Sequence, residues 1–223
     1  MKQAVSIVVG GMIGGGKSSL TELVAKQYDS IAYYESTDSL ILEKFYTASP
    51  EEAQARRYPF LLQLEFLAKR FHNIKQALTE GNPILNVQDR SIYEDWYFCY
   101  VNHQMGKISA IEFKLYEDLL HEMMAELDEL PKKAPDLMIY LQGSFDAFLE
   151  RIGKRGREFE QDEELMNYFY TLWYGYDNWL HNHYDKSEIL IIDIDKYDFV
   201  NNAEHQKEVL QMVDNKLSEM GLV

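Results

Sequence analysis

The chain has 223 residues, of which 46% are hydrophobic and 13% aromatic, the make-up of a folded globular protein rather than a disordered one. Its net charge of −15, from 37 acids against 22 bases, excludes the broad positive face that nucleic-acid binding requires. A single cysteine, Cys99, excludes an internal disulfide, and no apolar run reaches the ~20 residues of a membrane span. The opening MKQAVSIVVGGMI has no small-residue cleavage site after it, so a soluble cytoplasmic protein is expected. No repeat, linker or low-complexity tract divides residues 1–223, so one domain is expected.

Residues 4–9, AVSIVV, predict a short buried strand, and Leu20, Leu23, Val24 and Gln27 then recur at helical spacing. Between them stands GGMIGGGKSSL. Glycine inside a helix or strand costs about 0.5–1 kcal/mol relative to alanine, so such a cluster needs a reason. Gly11-x-x-x-x-Gly16-Lys17-Ser18 supplies one, because it is the pattern of a phosphate-binding loop. Backbone N–H groups around Gly14, Gly15 and Gly16 can cradle phosphates, and Lys17 can reach the β- and γ-phosphates. The Ser18 hydroxyl can take a magnesium ion, with Ser19 beside it at the start of the helix. The loop points to a nucleoside triphosphate. The motifs of a signalling GTPase are not matched, which argues against one: no aspartate lies three residues before a glycine, and Asn215-Lys216 runs on into leucine and serine.

IAYY at 31–34 predicts a second strand, followed at its C-terminal end by Glu35. Ligands gather at such strand ends in parallel sheets, and a carboxylate there can accept the proton of an attacking hydroxyl. A capping or solvated glutamate is the plainer reading. A long helix follows, with Phe60, Leu64, Leu67, Phe71, Ile74 and Leu78 on one stripe. ILNVQ at 84–88 predicts the third strand and leads into DRSIYED, where Asp89 can hold magnesium and Arg90 can steer a hydroxyl or phosphate oxygen.

A second long helix carries Leu115, Leu119, Met123, Leu127 and Leu130. Stripes of this period serve either as core or as the interface of a helix-bundle dimer. LMIYL at 137–141 predicts the fourth strand. RIGKRGREFEQDEE then places Arg151, Lys154, Arg155 and Arg157 within seven residues of an otherwise acidic chain. With Gly153 and Gly156 as hinges, residues of about 151–164 predict a mobile arginine-rich lid able to close on a transferring phosphoryl group. The plainer alternative is a charged helix end. ILIIDI at 189–194 predicts the fifth strand, and its ILIID, ending at Asp193, keeps a motor-type ATPase in view. Strands alternating with helices predict an α/β fold of the P-loop NTPase-like kind, with a five-stranded parallel sheet flanked by helices.

In this order and spacing the motifs resemble the deoxyribonucleoside kinase family, in particular its bacterial deoxyadenosine/deoxyguanosine members, over essentially the whole chain. The resemblance implies transfer from MgATP to the 5′-hydroxyl of a deoxynucleoside, with Mg²⁺ as cofactor and a homodimer formed through long helices. It implies neither a nucleic-acid nor a membrane partner. It implies that Glu35 is the base for the 5′-hydroxyl and that Arg90 lies near the 5′-oxygen. Asp89-Arg90-Ser91 stands where the family has Glu-Arg-Ser. Gln63, Arg70 and Asp95 match residues that face the base. Tyr46 and the lid residue Glu160 match groups on the 3′-hydroxyl. Arg151, Arg155 and Arg157 match lid arginines, and DIDKYDF at 193–199, with Asp195 and Phe199, matches the loop around the adenine of ATP. That recasts Asp193 as structural.

Cys99 stands where the family often has an aromatic residue, which leaves room for a purine. A nucleoside monophosphate kinase, with Arg56, Arg57 and Arg70 on the acceptor phosphate, remains an alternative. So do a deoxycytidine-preferring kinase and a non-catalytic ATP-binding regulator.

Overall fold

The computed structural model describes residues 4–34, 39–128, 134–155 and 165–223. Five strands form one sheet: β1 (Val5–Gly11), β2 (Ile31–Tyr33), β3 (Leu85–Asp89), β4 (Leu137–Gln142) and β5 (Glu188–Asp193). Their order is β2-β3-β1-β4-β5 and every pairing is parallel. A parallel sheet is covered on both faces, so its central strands read as unbroken apolar runs rather than as alternating ones. β1 and β4 follow that rule, with Ile7, Val9, Leu137, Ile139 and Leu141 fully buried.

The sequence leaves β1 at residue 9, but pairing carries it through Gly10 and Gly11, which lie opposite Tyr140 and Leu141 of β4. The first glycines of the phosphate loop are thus strand residues. The other four strands fall within two residues of their predicted ends.

Nine helices are present among the described residues. α1 (Lys17–Gln27) follows the loop, while α2 (Leu40–Thr47) and α3 (Pro50–Arg56) lead into α4 (Tyr58–Thr79). α2 and α3 start on Ser39 and Ser49, whose hydroxyls accept from the backbone N–H groups of Leu42 and Glu52. α3 takes up much of the long segment between Tyr46 and Gln63. α5 (Ile92–Gln104) and α6 (Ala110–Asp128) follow β3, α7 (Phe145–Arg155) and α8 (Met166–His183) follow β4, and α9 (Ala203–Glu219) closes the chain.

Two apolar cores result. One joins the sheet to its flanking helices; the other lies between α4, α5 and α6. The α4 stripe is core in this second cluster, with Phe60, Leu67 and Ile74 buried and Leu64, Phe71 and Leu78 packed beside them. The α6 stripe divides. Met123 packs on the cluster, whereas Leu115 and Leu119 remain exposed together with Ile111. Leu130 lies outside the described residues. No described helix is long and apolar enough to cross a membrane.

Candidate active site

β1 lies between β3 and β4: the crossover leaving it runs past β3 to β2, whereas the later β3-to-β4 connection passes to its other side, and a crevice opens at the strand C-termini where the direction changes. A cavity of about 940 Å³ occupies this place. One end is the phosphate loop, with Gly14, Gly16, Lys17, Ser18 and Ser19 at the wall; the other is lined by Tyr46, Gln63, Phe66, Asp95 and Phe98. Asp89 and Arg90 stand between.

The loop turns through positive φ at Gly14 (84°) and Gly16 (90°). At Gly16 a Cβ would also meet the Phe199 ring at 3.2 Å and the Arg151 guanidinium at 3.3 Å, so only glycine fits. Lys17 is buried and its Nζ donates to Met12 O at 2.9 Å, which folds the ammonium back over the loop. Gly15 closes the turn by donating its N–H to Met12 O. Gly11, at φ 133°, begins it.

The Ser18 hydroxyl donates to Asp89 Oδ2 at 2.5 Å. Asp89 Oδ1 is buried and has no hydrogen-bond partner among the described residues. An orphaned carboxylate oxygen beside a hydroxyl is a hard-oxygen pair that fits Mg²⁺, an ion usually held by one or two carboxylates plus substrate phosphates. No cluster of three or more His, Cys, Asp or Glu among the described residues offers an all-protein cage. Asp193 is on the edge strand β5, separated from β1 by β4, and accepts from the N–H of Asp195 in its own turn. The carboxylate beside the loop is therefore Asp89, and Asp193 holds its own turn rather than taking the motor-type place of the rival reading.

Arg151, expected in the lid, lines the cavity and is also held by the main chain. Its guanidinium donates to Gly15 O (3.1 Å), Ile194 O (3.0 Å) and Tyr197 O (3.4 Å), and burial lowers its pKa. It clamps the phosphate loop to the turn after β5. Asp195, also at the cavity wall, accepts from Ser144 N and Ser144 Oγ, both at 2.6 Å, and so ties that turn to the start of α7. Phe199 is fully buried and supports Gly16 from below rather than lining the cavity.

Two buried ionic groups stand at the other side. Arg70 grips Asp95 with two nitrogens, at 3.1 and 3.2 Å, and donates to Asp89 O at 2.6 Å. Asp95 reaches the wall and Arg70 stands behind it. Both are 3% exposed, as is Gln63, so the pairing compensates charges that would be costly to bury alone. Arg90 adopts φ 74°, its N–H bonds Val9 O at 2.9 Å, and its guanidinium lies 4.2 Å from the Phe98 ring centroid. Tyr46 is buried at the wall, one turn of α2 beyond Leu42. The Tyr168 hydroxyl, also at the wall, is pushed up to about 12 by burial.

Some expectations find no support. Cys99 belongs to the second core behind the wall, so the room expected from it is not at the cavity. Arg57 turns away to pair with Glu112, whose carboxyl it lowers to about 2. It is thus not positioned for an acceptor phosphate. Glu35, Arg157 and Glu160 lie outside the described residues, as does the side chain of Arg155, so nothing is described there of the lid beyond α7. Tyr34, immediately before Glu35, is at the cavity wall.

Glu94 and Tyr176, buried beside Arg90, were not singled out from sequence. Ser91-Ile92-Tyr93-Glu94 does carry a helix capping box, and that signal could have found Glu94.

A phosphate loop, a hard-oxygen pair and a cavity deep enough for a second small molecule define a P-loop phosphotransferase. The comparisons agree. The family model described as deoxynucleoside kinase matches residues 7–218. The chain is 44% identical to a deoxyguanosine kinase of Lactobacillus acidophilus over 96% of its length and 92% of the relative's. It is 43% identical to a deoxyadenosine kinase of the same organism, over 96% and 97%. A deoxyadenosine kinase structure from M. mycoides with bound dATP superposes with a TM-score of 0.73 at 23% identity, covering 95% and 98% of the two chains. The chain belongs to the deoxynucleoside kinase family and is a phosphotransferase.

Proposed function

We propose that the protein transfers the γ-phosphoryl group of MgATP to the 5′-hydroxyl of a purine deoxynucleoside. One observation carries the reading: a single cavity has a phosphate loop at one end and, at the other, Gln63 and an Asp95 fixed by Arg70. Gln63 offers a donor and an acceptor, and Asp95 an acceptor, which suits the polar edge of a base. The purine preference is supported by relatives named deoxyguanosine and deoxyadenosine kinase. Arg57, paired with Glu112, disfavours the monophosphate-kinase alternative.

In this reading Glu35 accepts the proton of the 5′-hydroxyl and Arg90 holds the attacking oxygen. Lys17 neutralises charge on the β- and γ-phosphates, and the lid arginines Arg155 and Arg157 close over them, with Glu160 and Tyr46 on the 3′-hydroxyl. Arg151 keeps the loop and the adenine-side turn, with Asp195 and Phe199, in register. Ser18 and Asp89 hold Mg²⁺, which supplies positive charge to the phosphate oxygens when bound. Exposed Ile111, Leu115 and Leu119 support a homodimer through α6. A cytoplasmic location goes with this reading, since the one cysteine, Cys99, is free and buried, which suits a reducing compartment.

The test is ATP turnover with deoxyadenosine, deoxyguanosine, deoxycytidine and thymidine in turn, with mass analysis of the product. Turnover with the purines to 5′-monophosphates is expected. Turnover only on a nucleoside monophosphate would overturn the acceptor assignment.

A further inference from the structure

We propose that Glu94 is a positioning residue for phosphoryl transfer: its buried carboxylate locks Arg90 and the start of the phosphate loop into one register, and Tyr176 completes the lock. The proposal rests on the reading above, in which Arg90 meets the attacking oxygen.

The carboxylate is fully buried, where an isolated charge is costly, yet it is surrounded by donors from different parts of the chain. Glu94 Oε1 accepts from Gly11 N at 2.9 Å, at the end of β1, and from the hydroxyl of Tyr176 on α8. Glu94 Oε2 accepts from Ser91 N at 2.7 Å, at the start of α5. The Arg90 guanidinium lies 3.6 Å from Oε1, and its Nη1 donates to the Tyr176 hydroxyl at 3.4 Å. A capping glutamate needs only the N-cap N–H and ordinarily faces water. Here one oxygen caps the helix, while the other leaves α5 to hold the phosphate loop.

Gly10 shows how closely the parts are fitted, because a Cβ there would meet Glu94 Oε2 at 2.9 Å. The strand can approach the carboxylate only as glycine. Arg90 is correspondingly fixed on two sides, by the Phe98 ring and by the Glu94–Tyr176 pair. A donor aimed in advance at developing charge needs no reorganisation during the reaction. Loss of that aim by ~1 Å costs on the order of a hundredfold in rate.

Glu94→Gln keeps size but removes the charge and sets an amide N–H₂ against donors. Its kcat for deoxynucleoside phosphorylation is expected to fall about ten- to a hundredfold, with both KM values within about threefold of wild type. Tyr176→Phe keeps the ring packing and removes one donor, and kcat is expected to fall about three- to tenfold.

The deciding measurement repeats both changes in an Arg90→Lys background, where the part of their effect that passes through Arg90 is gone and the factor lost in kcat should shrink to less than half of that in the Arg90 enzyme. A fold support would instead cost the same factor in either background, and that result would overturn the proposal. Wild-type kcat in both single variants, alongside an impaired Arg90→Lys enzyme, would also overturn it while sparing the reading of Arg90. Wild-type kcat in Arg90→Lys overturns the reading of Arg90 and the proposal with it. Should Glu94→Gln fail to fold, Tyr176→Phe carries the same cycle.

Discussion

At the phosphate-loop end of the cavity the polypeptide backbone faces the ligand: Gly14 and Gly16 turn through positive φ, and Arg151 braces the loop through carbonyl oxygens. At the opposite end side chains form the wall, with Gln63 from α4, Asp95 and Phe98 from α5, and Tyr46 from α2, and Arg70 of α4 holds Asp95 from behind. A backbone-built site tolerates almost any side chain except one that adds a Cβ where none fits. A side-chain-built site depends on partners, so removing one member leaves another buried and unsatisfied. In the function proposed above, the first kind of site is invariant to the acceptor and the second selects it.

Four variants probe this contrast. The largest effect is expected at Glu35, the proposed base, where Glu35→Gln should lower kcat by about 10²–10⁴ with ATP binding preserved. Steady-state turnover and a direct ATP titration check this, and near-normal turnover would remove Glu35 from the proton transfer. Next is Arg70→Met, which strands the buried Asp95 carboxylate. Unfolding in urea should show a loss of about 3–5 kcal/mol, with the KM for ATP unmoved in the enzyme that remains folded. A loss under about 1 kcal/mol would mean that the pair is not the linchpin of its end.

Gly16→Ala tests the other end. A left-handed alanine costs about 1–2 kcal/mol, and its Cβ presses on Phe199 and Arg151, so stability should fall and the KM for ATP rise. An unchanged KM would show that the loop does not depend on its glycine backbone. The smallest effect lies outside both ends, at Arg57–Glu112. Arg57 lowers the Glu112 carboxyl to about 2, so the stabilisation is present above the ordinary carboxylate range and is lost as pH falls through the folded value. Arg57→Met should therefore lose about 1 kcal/mol or less at neutral pH, and the gap from wild type should close between about pH 5 and pH 2. A gap that holds constant to pH 2 would assign the effect to packing.

Much of the phosphate-loop end was legible because it is local. The strand, the glycines, Lys17 and Ser18 follow one another, and the pattern of hydrophobic runs gave the five strands. α3 was missed because a short helix with no buried residue leaves no apolar stripe to read. The α6 stripe could not be read alone, since Leu115 and Leu119 have the spacing of core yet face outward. Arg151 was read by its charge as a phosphate ligand, and only the packing revealed a clamp on carbonyl oxygens.

The sequence by itself determined the fold class, the phosphate loop and the family resemblance, because these rest on residue types at short, fixed spacings. The sequence also named Asp89 and Ser18 for magnesium; tertiary structure added the direct Ser18–Asp89 contact and showed why Asp193 cannot make it, since strand order puts β5 at the sheet edge. Tertiary structure alone decided that Glu94 binds the loop to Arg90. The contacts concerned join residues 71 positions apart for Ser18–Asp89, 83 for Gly11–Glu94 and 136 for Arg151–Gly15. No local propensity encodes such distances; parallel pairing and the packing of helices across the sheet do.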